Sequence, residues 1–307
     1  MSEPFWAFVL PTEVGGPDDF YAVDDLLIGG NGGVRFLYDF SYPWSYPGGE
    51  DPYNRPAAGP PADGAVVRDV TGNADGVIRK AGSLGYAGGG IDLSVATGRD
   101  NYLEIPASVN AGLFADQEWV EAHYFMWPDS SLWTGHSGSV YAPVFNSSGT
   151  DANPIGFYGS TPERVWMGVQ NTGTVQAVFQ QVIGSTAGTS YKALLMGSSG
   201  ANTHRGRLTQ VAAWRLDDGT IAARLRSTAG TTLLTGTATK NTSDYSTSRD
   251  KVGVTNVSQW EDSGLDLSAS PFRLYRGFIE DLSVSGRDPV AVLDADYARV
   301  IARGDFS

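Results

Sequence analysis

Acidic side chains that could work in pairs are the first place to look for catalysis. Retaining glycosidases hold two carboxyl groups about 5–5.5 Å apart. The nearest pairs here are Glu118 with Glu121 and the adjacent Glu280 and Asp281. Glu121, Glu280 and Asp281 lie in predicted strands and Glu118 directly precedes one, and in an extended chain this spacing directs the two side chains of a pair to opposite faces. They therefore predict no catalytic pair. Glu280 alternates with apolar residues, and we favour a carboxylate bonded to backbone donors or to an arginine at the sheet end over a site residue with a raised pKa.

The remaining chemistry-bearing residues do not predict a catalytic or metal site either. The chain has no cysteine, which excludes thiolate catalysis, disulfides and sulfur-ligated zinc. His123, His136 and His204 are too scattered for a metal cluster, and we interpret His123 as a core histidine with satisfied hydrogen bonds. No G-x-S-x-G elbow and no phosphate-loop motif occurs. We expect no cofactor. Calcium stays open because acidic pairs occur in predicted loops, although none has EF-hand spacing and solvated surface charge is the simpler interpretation: Asp18/Asp19, Asp24/Asp25, Asp217/Asp218 and Glu261/Asp262.

Aromatic residues in loops give the clearest indication of binding. Residues 41–63 contain six prolines, which exclude a central strand and predict a long surface loop. Trp44, Tyr46 and Tyr53 lie in this insertion, and Trp133 lies in a second loop rich in Ser and Gly. Flat rings on loops can stack on sugars, anchor a protein neighbour, or pack over the sandwich edge. We expect these four rings to bind a ligand or partner, and the three alternatives stay open.

The charge balance excludes two classes of binding partner. There are 21 Lys and Arg residues against 34 Asp and Glu residues, a formal net charge of −13. Such a surface repels nucleic acid and anionic lipid. No segment has the features of a signal peptide or a membrane span. We expect neither nucleic-acid binding nor membrane insertion.

Residues 1–33 have the features of an arm and a joint. Phe5, Trp6 and Phe8 form an apolar patch near the start, and a glycine cluster at 29–33 favours a flexible connection. We expect the three rings to bury themselves in another protein or subunit. The alternative is that this segment is a strand of the main domain.

The elements that position these residues are mostly strands. Apolar and aromatic patterns predict strands at 34–40, 66–70, 76–79, 91–95, 102–105, 119–127, 140–145, 154–158, 164–170, 175–183, 208–216, 220–226 and 272–284. One helix is predicted near the C-terminus, capped by Asp288, with Pro289 first and Gly304 after its end. Its predicted buried face consists of Val290, Leu293, Tyr297, Val300 and Ile301. This pattern predicts an all-β fold, a two-sheet antiparallel sandwich with a short C-terminal helix.

Several ordered motifs resemble the concanavalin-A-like jelly rolls, in particular the laminin-G-like subgroup. The segment Asp69 to Gly76 is similar to a "D-x-x-G-N-x-x-G" turn. Residues 88–93 and 101–106 resemble the "G-x-A-L-x-F … Y-V-x-V-P" pair, residues 119–125 the long central strand, and residues 277–284 the closing "G-x-I-D-D-V-R-I". The likeness covers roughly residues 34–286, with the 41–63 insertion as a departure and residues 287–307 as a helix packed on the sandwich.

The resemblance implies a function in binding more than in catalysis. Hydrolases of this fold would carry an E-x-D-x-E triplet, which is absent from the chain. We expect a non-enzymatic adhesion or structural protein of a phage-type virion, at the particle surface or tail, as found for tail, fibre and capsid-surface proteins. Its arm would contact other virion proteins, its loops a neighbour or a host-surface glycan, and it would be a homo-oligomer. The alternatives are a polysaccharide hydrolase or lyase on the same fold and a purely structural decoration protein.

Overall fold

The computed structural model describes residues 27, 32–42, 45–46, 59–80, 84–93, 101–127, 141–149, 159–170, 173–254, 273–304 and 306. These residues form two antiparallel sheets of eight strands each and four helices. The predicted all-β sandwich with a C-terminal helix is confirmed. None of the described helices combines the length and apolar character of a membrane-spanning segment.

Sheet A follows the order β14-β13-β12-β7-β16-β5-β4, and β1 also pairs with β16. Strands are numbered in chain order. The members of sheet A are β1 (Val34–Asp39), β4 (Gly85–Ala87), β5 (Gly90–Asp92), β7 (Trp119–Met126), β12 (Leu208–Arg215), β13 (Thr220–Ser227), β14 (Gly230–Thr237) and β16 (Arg273–Asp281).

Sheet B follows the order β11-β10-β9-β8-β15-β6-β3-β2. Its members are β2 (Val66–Val67), β3 (Gly76–Arg79), β6 (Asn101–Ile105), β8 (Tyr141–Ser148), β9 (Glu163–Gln170), β10 (Val175–Gln180), β11 (Tyr191–Met196) and β15 (Asp250–Val254). The helices are α1 (Ala107–Leu113), α2 (Ser198–Asn202), α3 (Leu282–Ser285) and α4 (Pro289–Arg303).

The main core lies between the two sheets. It is built from alternate residues of each strand, among them Phe36, Trp119 and Phe125 of sheet A and Leu103 and Val165 of sheet B. Period-two alternation puts one set of side chains in this space and the other set on the outer faces. The core is therefore that of a face-to-face sandwich.

A second apolar cluster lies on the outer face of sheet A, under α4. Val292 and Leu293 of the helix pack there with sheet residues that include Val120, Trp214 and Phe278. The predicted caps of α4 are confirmed, because the Asp288 carboxylate accepts a hydrogen bond from the Ala291 N–H and Gly304 adopts a left-handed conformation.

The predicted buried face of α4 is wrong at two positions. Val290 and Ile301 are exposed, whereas Val292 and Asp296 are buried. The helix is turned because Asp296 accepts a hydrogen bond from Tyr124, 2.6 Å away, and pairs with Arg276 at 2.7 Å. Asp296 with its two partners therefore lies on the buried face of the helix, and Val290 and Ile301, which the apolar pattern places on that face, are exposed.

The side chain of Asp69 has a structural role in the turn that it begins. The buried Asp69 carboxylate accepts hydrogen bonds from the backbone N–H groups of Leu37, Thr71, Asn73 and Ala74, at 2.9–3.2 Å. It therefore ties β1 to the turn that precedes β3. Gly72 supplies the positive φ of 74° that this turn needs.

Strand predictions failed mainly at the sheet edges and in short strands. The strands β4, β11, β14 and β15 were not predicted, and the last long strand ends at Asp281, where α3 begins. The predicted strand at 154–158 lies outside the described residues. Gly33, in the predicted flexible joint, lies against α3, since a Cβ atom there would come within 2.6 Å of Ser285 Cβ. This glycine is needed for close packing.

Candidate functional site

A buried polar cluster between the two sheets gathers the most chemistry-bearing residues in the described part of the chain. Strand β7 is the central strand of sheet A, and its alternation directs Glu121 and His123 into the core together with Trp119 and Phe125. Both polar side chains are fully buried. Such residues need hydrogen-bond partners, because an unsatisfied polar group in a core is costly.

His123 has a partner at each ring nitrogen. Its Nδ1 lies 3.0 Å from the Tyr38 hydroxyl, and its Nε2 lies 2.8 Å from Glu121 Oε1. The carboxylate can accept from Nε2–H, and the hydroxyl can act as donor or acceptor toward Nδ1. The interpretation of His123 as a satisfied core histidine is confirmed.

Arg164 connects this pair to sheet B. Its Nη2 donates to Glu121 Oε2 at 2.6 Å and to Asp250 Oδ1 at 3.0 Å, and its Nε donates to Asn110 Oδ1 at 2.8 Å. The guanidinium also lies 4.2 Å from the centre of the Trp119 ring. One side chain thereby joins β7, β15 and α1.

A β-bulge explains how Arg164 reaches the core. Its neighbour Val165 also faces the core, although adjacent residues of a regular strand face opposite sides. Ser148 pairs with Glu163 and Asn146 pairs with Trp166, so β9 has one extra residue at this point. The backbone N–H groups of Arg164 and Val165 both donate to Ser147 Oγ at 2.9 Å. The bulge directs Arg164 inward.

The cluster holds two carboxylates around one guanidinium. Burial opposes ionisation of Glu121, but Arg164 and the hydrogen bond from His123 outweigh it and lower its pKa. Burial, together with the charge on Glu121, raises the pKa of Asp250 to about 7 in spite of Arg164. The arrangement therefore favours an ionised Glu121 beside an Asp250 that takes up a proton near neutral pH.

The charge cluster continues through sheet B to its outer face. Glu163 and Lys251 are the chain neighbours of Arg164 and Asp250, and both are buried. Burial raises the pKa of Glu163 well above its usual range, and its Oε1 has no hydrogen-bond partner within the described residues. Burial lowers the pKa of Lys251 to about 8. A carboxyl of raised pKa and an ammonium of lowered pKa on one face are groups that can transfer protons.

We predicted no functional role from the sequence for four residues of the cluster: Arg164, Asp250, Glu163 and Lys251. Glu121 and His123 are two residues apart on one strand, which a sequence pattern reveals. The other four come from β9 and β15, more than eighty residues apart, and are joined only by the fold. A lysine and an aspartate side by side in a segment not predicted as a strand give no signal of burial.

Glu280 has the arginine partner that we expected. Its carboxylate is buried and accepts from Arg287 Nε at 2.8 Å and from Arg287 Nη2 at 2.7 Å. This bidentate contact fixes the loop between α3 and α4 to the end of sheet A. Glu280 is therefore a structural residue.

The aromatic residues predicted to bind fall in two groups. Tyr46 is buried, with its ring centroid 4.3 Å from that of Tyr86 and 6.3 Å from that of Phe40. Its hydroxyl donates to the Gly59 carbonyl. The prediction is wrong for Tyr46, because a tyrosine packed in the core offers no ring to a partner. Trp44, Tyr53 and Trp133 lie outside the described residues, as do Phe5, Trp6 and Phe8.

The structure leaves the calcium question as the sequence did. Within the described ranges no group of three or more His, Asp or Glu side chains is placed to hold a metal ion. Asp217 pairs with Lys240 at 2.8 Å, and Asp218 accepts from the Thr220 N–H at 2.8 Å. The other acidic pairs and His136 lie outside the described residues.

Comparison with known proteins finds similarity at the level of structure. No family model matches the chain, and no curated protein matches it. A crystal structure of the botulinum neurotoxin serotype D binding domain is 11% identical, with a TM-score of 0.49, over 81% of this chain and 48% of that chain. Trypanosoma rangeli sialidase is 12% identical, with a TM-score of 0.44, over 90% of this chain and 35% of that one.

A third similar structure is the endo-beta-1,4-glucuronan lyase of the fungus Trichoderma reesei. It is 12% identical, with a TM-score of 0.39, over 67% of this chain and 85% of that one. The chain spans about half the length of the toxin binding-domain chains that it matches. Similarities this low assign neither a ligand nor an activity.

Proposed function

We propose that this chain is a non-enzymatic binding protein that holds a glycan or a neighbouring protein through its proline-rich loop. The phage-type virion is the setting we propose for it, with the apolar residues Phe5, Trp6 and Phe8 as the attachment to other virion proteins. The absence of cysteine, the acidic charge and the glycine cluster before the sandwich support this setting.

The contact between Tyr46 and Gly59 is the observation that carries the binding proposal. The Tyr46 hydroxyl donates to the Gly59 carbonyl, so the chain on either side of residues 47–58 is held together at the edge of the core. The ring of Tyr46 is fixed in turn by Phe40 and Tyr86. A segment with prolines and a closed base loses little entropy on binding, which favours a recognition role for Tyr53 and the nearby Trp44.

The inner charge cluster favours a structural role over a catalytic one for Glu121, His123 and Arg164. Glu121, His123 and Arg164 are buried, Glu121 is hydrogen-bonded to both of the others, and Arg164 connects the two sheets. Groups held in this way serve to fix the sandwich that presents the loop.

A glycan array and a polysaccharide assay test the proposal together. The full chain should bind one or more glycans, or a virion protein, without releasing reducing ends from soluble polysaccharides. Tyr53→Ala should weaken binding by about 2 kcal/mol, roughly thirtyfold, with little change in melting temperature. Tyr46→Phe is the matched variant, because it removes only the hydroxyl that closes the loop and should weaken binding less.

The proposal fails if Tyr53→Ala and Trp44→Ala both lower the melting temperature and leave binding intact, since both rings would then be packing residues. Silence on the array and with virion proteins favours the purely structural decoration protein.

Glu163 favours a polysaccharide-degrading enzyme as the second candidate. A carboxyl with a raised pKa can act as a general acid, and Lys251 on the same face can accept a proton once it is neutral. Both side chains are buried, so this candidate also requires that the outer face of sheet B open to the polymer. Loss of polymer viscosity with new reducing or unsaturated sugar ends would support this candidate. Glu163→Gln should then abolish the activity and leave the fold intact, whereas activity that survives in Glu163→Gln excludes this site.

A further inference from the structure

Strand β14 forms an edge of sheet A that lacks the usual protection. It pairs with β13 alone, over all eight of its residues and without a bulge. Its sequence, Gly-Thr-Thr-Leu-Leu-Thr-Gly-Thr, contains no charged residue and no proline. Sheet edges in natural proteins are commonly blunted by charge, proline, a bulge or a covering element, because an open edge pairs with other strands.

The outward side of β14 can be assigned residue by residue. The turn Thr228-Ala229 is closed by the pair Ser227 and Gly230, and Ala238 N donates to Gly219 O at 2.9 Å. Even-numbered residues therefore bond to β13, and the backbone groups of the odd-numbered residues point away from the sheet. These are Thr231, Leu233, Thr235 and Thr237, whose side chains are also exposed. Within the described part of the chain, their outward backbone groups make no hydrogen bond.

We propose that β14 pairs with β14 of a second copy, antiparallel about a two-fold axis at Leu234. This register sets Thr231 opposite Thr237 of the other copy and Leu233 opposite its Thr235. All the outward groups are then satisfied by about eight backbone hydrogen bonds. An antiparallel edge is self-complementary, so one strand can serve both sides of a symmetric dimer.

The charge distribution favours a second copy at this position. Each chain carries a formal charge of −13, so two copies repel over most of their surface. Strand β14 has no charge, and the ionisable residues next to it on β13 are the arginines Arg224 and Arg226, both bonded to Asp294 of α4. The approach of a second acidic chain is therefore unopposed at this edge.

The outer strand of sheet B ends at the same side of the sandwich as β14. Strand β11 is the outer strand of sheet B and lies beside β14, where Leu194 packs over Gly236. Leu195 of β11 is 57% exposed and Leu233 of β14 is 43% exposed. The two exposed side chains lie on opposite outer faces of the sandwich, because their neighbours Leu194 and Leu234 pack inward against the main core. Pairing of β14 would therefore bring together Leu233 of the two copies, on the outer face of the joined sheet.

The mass of the full chain in solution tests this dimer. Sedimentation equilibrium should give twice the chain mass at tens of micromolar. Leu233→Lys should weaken association at least tenfold, because it places two ammonium groups at the interface. Thr235→Pro should do the same, because it removes an outward N–H and leaves the bonds to β13 in place. Val66→Lys is the matched control, since Val66 is 49% exposed on β2, the outer strand at the other side of sheet B.

Hydrogen exchange at single-residue resolution separates this pairing from other contacts. In the dimer, the amides of the odd-numbered β14 residues should become protected, and Leu233→Lys should return them to fast exchange while the even-numbered amides stay protected. A monomer at all concentrations overturns the proposal. The edge of β14 would then be expected to pair with a strand of a different protein. A dimer unaffected by Leu233→Lys, or dissociated equally by Val66→Lys, also overturns it, as does growth beyond two copies.

Discussion

At the scale of single residues, the position of Arg164 decides how the two sheets are joined. Its guanidinium donates to Glu121, Asp250 and Asn110 at once, in a region buried from solvent. Replacing a buried ion-pair network by apolar residues is often neutral, whereas removing one partner leaves an uncompensated charge and costs about 3–5 kcal/mol. Removing one member of the cluster should therefore destabilise the chain, whereas replacing the whole cluster by apolar residues of similar volume should cost little.

Asp250 gives the pH dependence of folding a definite sign. Its pKa is raised from 3.8 to about 7 in the folded chain, so the folded state binds more protons than the unfolded state between those values. Stability from this group is complete below the unfolded pKa and is lost as the pH rises to the folded pKa. We expect the unfolding free energy to fall by roughly 2 kcal/mol from about pH 5 to about pH 7.

Urea unfolding of the wild type and of Asp250→Asn at three pH values measures this effect. The variant has no proton to release, so its slope should be smaller by up to about 1.4 kcal/mol per pH unit. The slope is the criterion, because Asp250→Asn also removes a charge beside Arg164. Equal slopes in the two proteins would show that Asp250 does not hold the proton. Glu163, whose pKa is raised by burial and also by the charge on Asp250, contributes to both slopes, and by less in the variant.

At the scale of elements, the sequence was sufficient where apolar alternation and capping act locally. The caps of α4 follow from Asp288, Pro289 and Gly304, which act within one turn of the helix end. Strand β14 was missed because its Thr- and Gly-rich sequence lacks an apolar face, as suits an edge half open to water. Arg164 could not be placed either, since the bulge that directs it inward depends on Ser147 from another strand.

Helix α4 allows a matched comparison of two valines. Val292 is 4% exposed and packs on sheet A, whereas Val290 is 37% exposed. Val292→Ala should destabilise the chain by about 1.5 kcal/mol, from the loss of two buried methyl groups. Val290→Ala should be neutral or slightly stabilising, because alanine has the higher helix propensity. Thermal or urea unfolding of both variants measures this. The reverse order would mean that the apolar pattern, and not the Asp296 contacts, sets the orientation of the helix.

At the scale of the whole molecule, the sandwich includes residues that the sequence assigned to the arm. Leu27 is buried in the cluster under α4, with Val34, Phe278 and Leu293. Its carbonyl accepts a hydrogen bond from Arg287 Nη2 at 3.4 Å. The Gly33 carbonyl accepts from the Asp281 N–H at 2.8 Å, which holds the start of β1 to the end of sheet A. An attachment function is therefore to be sought before Leu27.

Two truncations test this boundary. A chain beginning at residue 25 should keep the stability of the full chain, whereas one beginning at residue 31 should lose about 2 kcal/mol with the burial of Leu27. Leu27→Ala in the full chain should reproduce most of that loss. Both shortened chains should still form the proposed β14 pair but lose the attachment that we propose for Phe5, Trp6 and Phe8, because they lack these residues. Equal destabilisation by the two truncations would instead place part of residues 1–24 in the core, and the arm would have to be abandoned as a separate attachment segment.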